Sequence, residues 1–231
     1  PWSSPIRSSS IRKVAGSMAE SAGPPPRESA LGDLLARRRL GADKGPPGVT
    51  LSEQPALAIW QLAAWRAADA APLRAAIAER LAVSLPEGTL AARGREALAF
   101  HVAPRRWWLV LNDAGGGWRS AELAGVVAGW AALTDVGHAR TVVRLGGRAC
   151  RSVLAKLCRI DLHPAALPAG HVAQTALGQV ASLIHALDAV PAFDLYLPRS
   201  LARSGVGSLI DAALEFGLEI ARPGDRPGRG A

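Results

Sequence analysis

Apolar segments with the alternation of a strand and apolar segments with the spacing of a helix follow one another in two successive series along this chain. Their order restricts the fold more than any other feature. The segment LAIWQLAAW at 57–65 alternates and predicts a strand. Leu73, Ile77 and Leu81 are spaced four apart and predict a helix over 70–82. The first series also predicts strands around 97–102, 107–111 and 133–136 and a helix over 120–130. The second predicts strands at 139–145, 173–177, 181–187 and 193–197 and helices over 148–158 and 200–215. Two successive β-α-β-β-α series favour an α+β fold with mainly antiparallel sheets.

The ends of the chain differ from this pattern. Residues 1–30 carry Ser, Pro and Gly without periodic apolar positions, so we expect a disordered leader. Met18 is the only methionine and a candidate start, which would leave residues 1–17 untranslated. Residues 31–219 are predicted to form one domain, with sub-units at about 55–138 and 139–219, and residues 220–231 a flexible basic tail.

Local signals suggest further boundaries. Leu31, Leu34 and Leu35 share one helical face and predict a short helix over 29–40. Ser200, which follows Pro198-Arg199, is predicted to cap the last helix, and Gly217 to end it.

The net charge of +8 first suggests a nucleic-acid partner, but its location along the chain argues against one, and a basic, nucleic-acid-associated domain is left as a third hypothesis. Residues 1–50 carry 8 basic and 4 acidic side chains, and residues 221–231 carry 3 and 1, which leaves 16 and 14 in residues 51–220. The folded part is therefore nearly neutral and has no basic stripe with stacking aromatics. The longest apolar run, at 123–133, is far shorter than the roughly 20 residues of a membrane span. We expect a cytoplasmic protein.

Cys150, Cys158, His163 and His171 could bind a metal but are poorly spaced for it. Zinc ligands usually come in close pairs such as CxxC, whereas these four are separated by seven, four and seven residues. The two cysteines are predicted to lie on one helix about 12 Å apart, too far for a disulfide, as small buried thiols. Asp161 and His163, in the stretch DLHP, are predicted to form a rigid loop with locally satisfied polar groups.

Other groups with potential chemistry also lack a supporting motif. Ser152, Ser182 and Cys158 lie in no GxSxG turn or catalytic-cysteine signature. The glycine-rich turns at 115–117 and 146–147 lack the spacing of phosphate-binding loops, and the second is predicted to connect a strand to a helix.

Asp135 and His138 flank a strand end, where we expect a turn or a cap. The sequence thus predicts no catalytic, cofactor-binding or metal-binding residue in this chain.

Seven tryptophans against one tyrosine are unusual for a chain of this size. Strand alternation places Trp107 and Trp108 on opposite faces of their sheet, so one of them is expected to face outward. An outward tryptophan is either covered by a helix or available as an interface anchor. This pair is the main physical indication of a protein partner.

Four sequence blocks resemble a known family when they are taken together. They are DVGHART (135–141), DLHP (161–164), AQT (173–175) and FDLYLPRS (193–200). In this order and spacing they resemble the gamma subunit of heterotetrameric sarcosine oxidase, from about Leu31 to Phe216. The resemblance implies a fold like that of aminomethyltransferases and folate-binding proteins, built from two ferredoxin-like units.

The resemblance also implies a role. The chain would be a non-catalytic structural subunit of a flavin-dependent complex that demethylates sarcosine to glycine, passing the one-carbon unit to tetrahydrofolate and electrons to oxygen. FAD, FMN, NAD, tetrahydrofolate and zinc would be bound by the alpha, beta and delta subunits, and none by this chain.

Two departures from the family pattern bear on this role. Gly137 stands where a hydroxyl residue is expected. Folate-binding relatives share a Y-x-G-E stretch, whereas residues 173–187 read AQTALGQVASLIHAL and offer no carboxylate to a pterin ring. A free-standing folate-dependent aminomethyltransferase-like protein is the alternative.

Overall fold

The computed structural model describes residues 28–36, 38–42, 45–54, 57–95, 97–112, 120–187 and 191–221. Most of the predicted leader with Met18, the glycines at 115–117, Trp118 and the tail from residue 222 lie outside these ranges. The strands are β1 (Arg38–Leu40), β2 (Val49–Glu53), β3 (Leu57–Ala64), β4 (Ala92–Arg93), β5 (Ala97–Ala103), β6 (Arg106–Asn112), β7 (Ala131–Asp135), β8 (Arg140–Gly146), β9 (Val172–Leu177), β10 (Val180–Ala186), β11 (Ala192–Pro198) and β12 (Leu218–Ile220). The α-helices are α1 (Ala70–Leu81), α2 (Ser120–Val127), α3 (Cys150–Ala155) and α4 (Ala202–Ala213).

The first series forms a five-stranded antiparallel sheet in the order β4-β5-β6-β3-β7. Its elements follow as β3-α1-β5-β6-α2-β7, with the short β4 added at the edge. The two central strands are thus the first and third of the unit, flanked by the second and fourth. This is the ferredoxin-like arrangement that the family resemblance implies.

The second series forms a seven-stranded sheet in the order β1-β12-β2-β8-β11-β10-β9. It repeats the first arrangement with two additions, because β2 enters between β12 and β8 and β1 pairs with β12 at the edge. Strand β2 pairs parallel with β12 and antiparallel with β8. A segment N-terminal to both units therefore completes the second sheet. This long-range pairing was not predicted from the sequence, because β2 is short.

The two sheets pack face to face, and the helices cover their outer faces. One apolar cluster joins them, with Ile59, Phe100, Trp108 and Val110 from the five-stranded sheet and Val142, Val172, Leu183 and Tyr196 from the seven-stranded sheet. A second cluster lies between the first sheet and α1 and α2, and a third between the second sheet and α3 and α4. The result is four layers in the order helix, sheet, sheet, helix.

Helix α4 shows how the sequence builds the outer layers. Val206, Leu209, Ile210 and Ala213 are spaced three and four apart and are all buried against the seven-stranded sheet. Gly217 has a φ of +71° at the end of this helical segment, in agreement with the predicted stop. The described residues contain no helix with the length and apolar content needed to cross a membrane.

Three predictions about where helices form, begin or end were wrong. Residues 29–40 do not form a helix: Leu31 and Leu35 share one buried turn, and the chain then extends as β1 to pair with β12. Ser200 does not cap α4, because a 3₁₀ turn over Arg199–Leu201 precedes the helix and no side chain caps it. Helix α3 ends at Ala155, so Cys158 follows the helix rather than lying on it.

The prediction that Trp107 and Trp108 lie on opposite faces of their sheet is confirmed. Trp107 faces outward and is covered by the helices, and Trp108 faces the second sheet, with exposures of 1% and 7%. The indole N–H of Trp107 donates to Pro86 O at 2.8 Å. Neither tryptophan is therefore available as an interface anchor.

Candidate functional site

The surface where the two sheets meet holds a group of polar side chains, which we call the inter-sheet layer. On the seven-stranded sheet it includes Arg144, Asp194 and His185, on the same strand faces as the apolar residues that contact the other sheet. Asp194 and His185 are 6% and 2% exposed. Because buried charges are costly unless they are paired, this layer is where a functional site would be sought first.

Arg144 and Asp194 form a bidentate ion pair across neighbouring strands β8 and β11. The guanidinium Nε and Nη2 atoms each donate to one carboxylate oxygen at 2.7 Å. Burial lowers the pKa of Arg144, but the hydrogen bonds and charge of Asp194 outweigh it, so the pKa lies above its ordinary value. The two parallel hydrogen bonds join neighbouring strands, which suits the pair to fixing strand pairing rather than to transferring protons.

Aromatic rings surround this pair. Phe100 contacts Tyr196 edge-on with ring centres 5.4 Å apart, and it contacts His185 at 5.2 Å. The guanidinium of Arg140 lies 4.7 Å from the ring centre of Trp108. The indole of Trp108 in turn donates to the Gln61 side chain at 3.3 Å. The contacts of Phe100 and the Arg140–Trp108 contact cross from one sheet to the other, whereas the Trp108–Gln61 bond joins neighbouring strands of one sheet.

Tyr196 is the one tyrosine of the chain and is fully enclosed in this cluster. Burial, reinforced by the negative charge of Asp194, raises the pKa of its hydroxyl, while the charges of Arg144 and Arg93 act in the opposite direction. The hydroxyl therefore stays protonated at neutral pH. It cannot serve as a base there.

A small pocket opens beside the layer, between Arg93 and Leu98 on one sheet and His185 on the other. Its volume is about 60 Å³, against roughly 300–1,000 Å³ for sites that hold a small organic ligand. A flavin or a pterin ring does not fit this space. The β9–β10 hairpin beside it, residues 172–186, carries no carboxylate that could accept hydrogen bonds from a pterin.

The DLHP loop has the geometry that its sequence predicts. Asp161 Oδ1 accepts the backbone N–H of His163 at 2.8 Å, and His163 Nδ1 accepts the N–H of Ala165 at 3.2 Å. His171 makes its own contact with Ala169 O at 3.3 Å. The histidines are thus engaged in separate turns, and the described residues contain no group of three or more His, Cys, Asp or Glu able to hold a metal ion.

The potential nucleophiles are likewise occupied or inactive. Cys150 and Cys158 are buried and free, and burial raises the pKa of each thiol to about 11. Cys150 donates to Pro191 O, and Ser182 donates to Val180 O at 2.8 Å. Ser152 is exposed on α3. A protonated thiol is a weak nucleophile, so neither cysteine is activated.

The two predicted turns are also present. Asp135 Oδ1 accepts the N–H of Gly137 at 2.8 Å, just before the 3₁₀ turn that contains His138. Gly147 has a φ of +109°, and a Cβ atom there would lie 2.6 Å from Gly48 O. Glycine is therefore required where β8 turns toward α3.

Sequence reasoning missed the Arg144–Asp194 pair. Both residues were visible as lone charges inside the apolar strands ARTVVRL and FDLYL. A single charge within a strand buried on both faces requires a partner, so opposite charges in two such strands are a usable signal.

The comparisons with known proteins agree with this fold. The sequence profile of the sarcosine oxidase, gamma subunit family matches residues 64–215. The chain belongs to this family. The match extends from the end of β3 to the 3₁₀ turn after α4, and so includes most of both units. The family and gamma-subunit role predicted from the four sequence blocks are confirmed.

Two solved structures share the fold. A chain of the heterotetrameric sarcosine oxidase from Corynebacterium sp. U-96, solved with pyrrole 2-carboxylate, aligns with a TM-score of 0.68 and 24% identity, covering 82% of this chain and 96% of that one. The glycine cleavage system aminomethyltransferase T from Bartonella henselae aligns with a TM-score of 0.53 and 16% identity, covering 71% of this chain and 46% of that one. The predicted α+β, folate-binding-like fold is confirmed. No curated protein sequence matches the chain significantly.

Proposed function

We propose that this chain is a non-catalytic structural subunit of a heterotetrameric, flavin-dependent sarcosine oxidase. The observation that carries the proposal is the family match over residues 64–215. The assembly would oxidise the N-methyl group of sarcosine, release glycine, transfer the one-carbon unit to tetrahydrofolate and pass electrons to oxygen. The chain would belong to the oxidase as a subunit without performing a step itself.

The chemistry of the inter-sheet layer supports a structural role. Arg144 and Asp194 bind each other through two hydrogen bonds, and the Tyr196 hydroxyl is protonated. The pocket beside the layer is too small for a flavin or pterin. The thiols are protonated near neutral pH, and the DLHP histidine contributes to a turn. Each of these groups stabilises the fold, and we propose that none of them is a catalytic, cofactor-binding or metal-binding residue.

The finer assignments follow from the same proposal. FAD, FMN, NAD, tetrahydrofolate and zinc would be bound by the alpha, beta and delta subunits, which are the proposed partners of this chain. Residues 55–138 and 139–219 would act as two sub-units of one domain. The near-neutral charge of residues 51–220 favours a protein partner over nucleic acid. The cytoplasmic location stays a prediction.

Co-expression tests this function directly. The full chain, carrying an affinity tag, is produced with the candidate alpha, beta and delta subunits, and the eluate is separated by gel filtration. We expect co-elution with flavin absorbance and with sarcosine-dependent peroxide formation. Elution of the chain apart from all flavin would contradict the proposal.

The aminomethyltransferase alternative predicts a different result. An independent folate-dependent transferase must bind tetrahydrofolate without partners, whereas the hairpin at 172–186 supplies no carboxylate for it. Titration of the isolated chain with tetrahydrofolate in a calorimeter separates the two functions. We expect no heat of binding, and stoichiometric binding would favour the alternative.

A further inference from the structure

One end of the five-stranded sheet presents an exposed tryptophan among arginines. We define the Trp65 surface as Trp65, Arg66, Arg105, Arg106 and Trp130. Trp65 is 61% exposed, whereas Trp107 and Trp108 are almost fully buried in the same sheet. Tryptophan is a favoured anchor at protein interfaces, so its exposure together with neighbouring arginines makes this end of the sheet a candidate contact surface.

The backbone holds Trp65 firmly at this place. Its N–H donates to Trp130 O at 3.0 Å, and its carbonyl accepts from the guanidinium of Arg105 at 3.1 Å. The preceding residue, Ala64, donates to Arg105 O at 3.0 Å. Three hydrogen bonds thus connect the end of β3 to its neighbours on both sides. Because the backbone at Trp65 is already fixed, only the side chain would lose conformational freedom when it binds a partner.

The charge around Trp65 is positive. Arg66 is paired with Asp69 through its Nε and Nη2 atoms, at 3.2 and 3.0 Å. Arg105 and Arg106 are exposed, and neither forms an ion pair within the part of the chain that the structure describes. An acidic counterpart would therefore be complementary to this surface.

From this combination we infer that the Trp65 surface docks on an acidic protein surface of another oxidase subunit, with a pocket that receives one indole. The inference rests on the proposed function, since it names the face that meets the partner. Tryptophan and arginine are the residue types that most often dominate binding energy at protein interfaces. An exposed indole flanked by cations is the arrangement expected of an anchor.

The test compares full-length tagged variants in co-expression with the candidate subunits and measures the flavin recovered per chain. Trp65→Ala is expected to lower this recovery at least about tenfold, and Trp65→Phe to restore part of it, because a ring still fills the pocket. Leu201→Ala is the matched control, since Leu201 is 46% exposed and lies beside α4 on the other unit. Its recovery should equal that of the wild type.

Arg106→Glu is a second variant, used if Trp65→Ala loses its cooperative thermal unfolding transition. It reverses one charge of the surface and is expected to lower recovery several-fold, with the loss greatest at low salt. The inference would be overturned if flavin is recovered with the wild-type chain and its recovery is undiminished in folded Trp65→Ala or in Arg106→Glu. Absence of flavin with the wild-type chain would instead contradict the proposed function. Oligonucleotide binding that depends on Trp65 would also overturn the docking inference.

Discussion

Removal of the Asp194 carboxylate is predicted to destabilise the chain strongly. Asp194→Ala leaves the Arg144 guanidinium between the sheets without the two 2.7 Å acceptors that now balance it. Loss of one partner costs about 3–5 kcal/mol for a fully buried pair and about 1.5–3 kcal/mol for a hydrogen bond to a charged group. The Arg144 side chain keeps 21% exposure and Asp194 only 8%, so we expect a loss of about 2–3 kcal/mol.

Urea unfolding followed by tryptophan fluorescence measures this loss, because Trp107 and Trp108 are buried and will be exposed together. With a slope of about 2 kcal/mol per molar urea, the midpoint should fall by about 1 M or slightly more. Asp33→Ala is the matched control. Asp33 forms a bidentate pair with Arg203 at 2.6 and 3.1 Å, but both side chains are exposed, so its removal should barely move the midpoint.

A double-mutant cycle identifies the cause. Its single variants are Arg144→Met and Asp194→Ala. The double variant that combines them removes both charges and should recover much of the stability lost in Asp194→Ala. Equal midpoints for Asp194→Ala and Asp33→Ala would refute the reasoning. So would a double variant as unstable as the sum of the two single variants.

Three further results are expected. Cys150 and Cys158 should resist alkylation at pH 8 in the folded chain, and rapid alkylation there would contradict this. Because burial raises their pKa to about 11 from 9.0, their contribution to stability should be constant below pH 9 and fall between pH 9 and 11. Gly147→Ala should lower the urea midpoint more than Gly129→Ala, since both glycines have positive φ but only the first places a Cβ against backbone; equal losses would be the contrary result. His163→Ala in the assembled oxidase should leave the turnover of sarcosine unchanged, whereas a large loss would make His163 functional.

Much of the fold could be predicted because apolar periodicity is local. The central strands and α1 and α2 start within a few residues of the predicted positions, since each segment carries its own alternation or helical spacing. Strands β2 and β12 could not be predicted in this way, as they are short and gain their stability from pairing across the chain. Residues 29–40 show the opposite error: Leu31 and Leu35 have helical spacing, but the pairing of Arg38–Leu40 with β12 overrides it.

The contacts within the DLHP loop could be predicted from the sequence, whereas the contacts between the two sheets could not. The turn of Asp161 and His163 involves neighbours in sequence, so residue types and a proline suffice to predict it. The pair formed by Arg144 and Asp194 joins residues fifty positions apart and depends on strand order. Exposure of Trp65 could not be predicted either, because it depends on where β3 ends relative to the covering layers.

Native mass spectrometry of the purified assembly tests the central claim most directly. The claim is that this chain supports a flavin-dependent oxidase without holding any of its cofactors. Gentle activation releases single subunits together with whatever each one binds. We predict that this chain leaves the assembly at the mass of its bare polypeptide, while flavin masses stay with other subunits. A released chain that carries a flavin, a folate or a metal ion in stoichiometric amount would contradict the account.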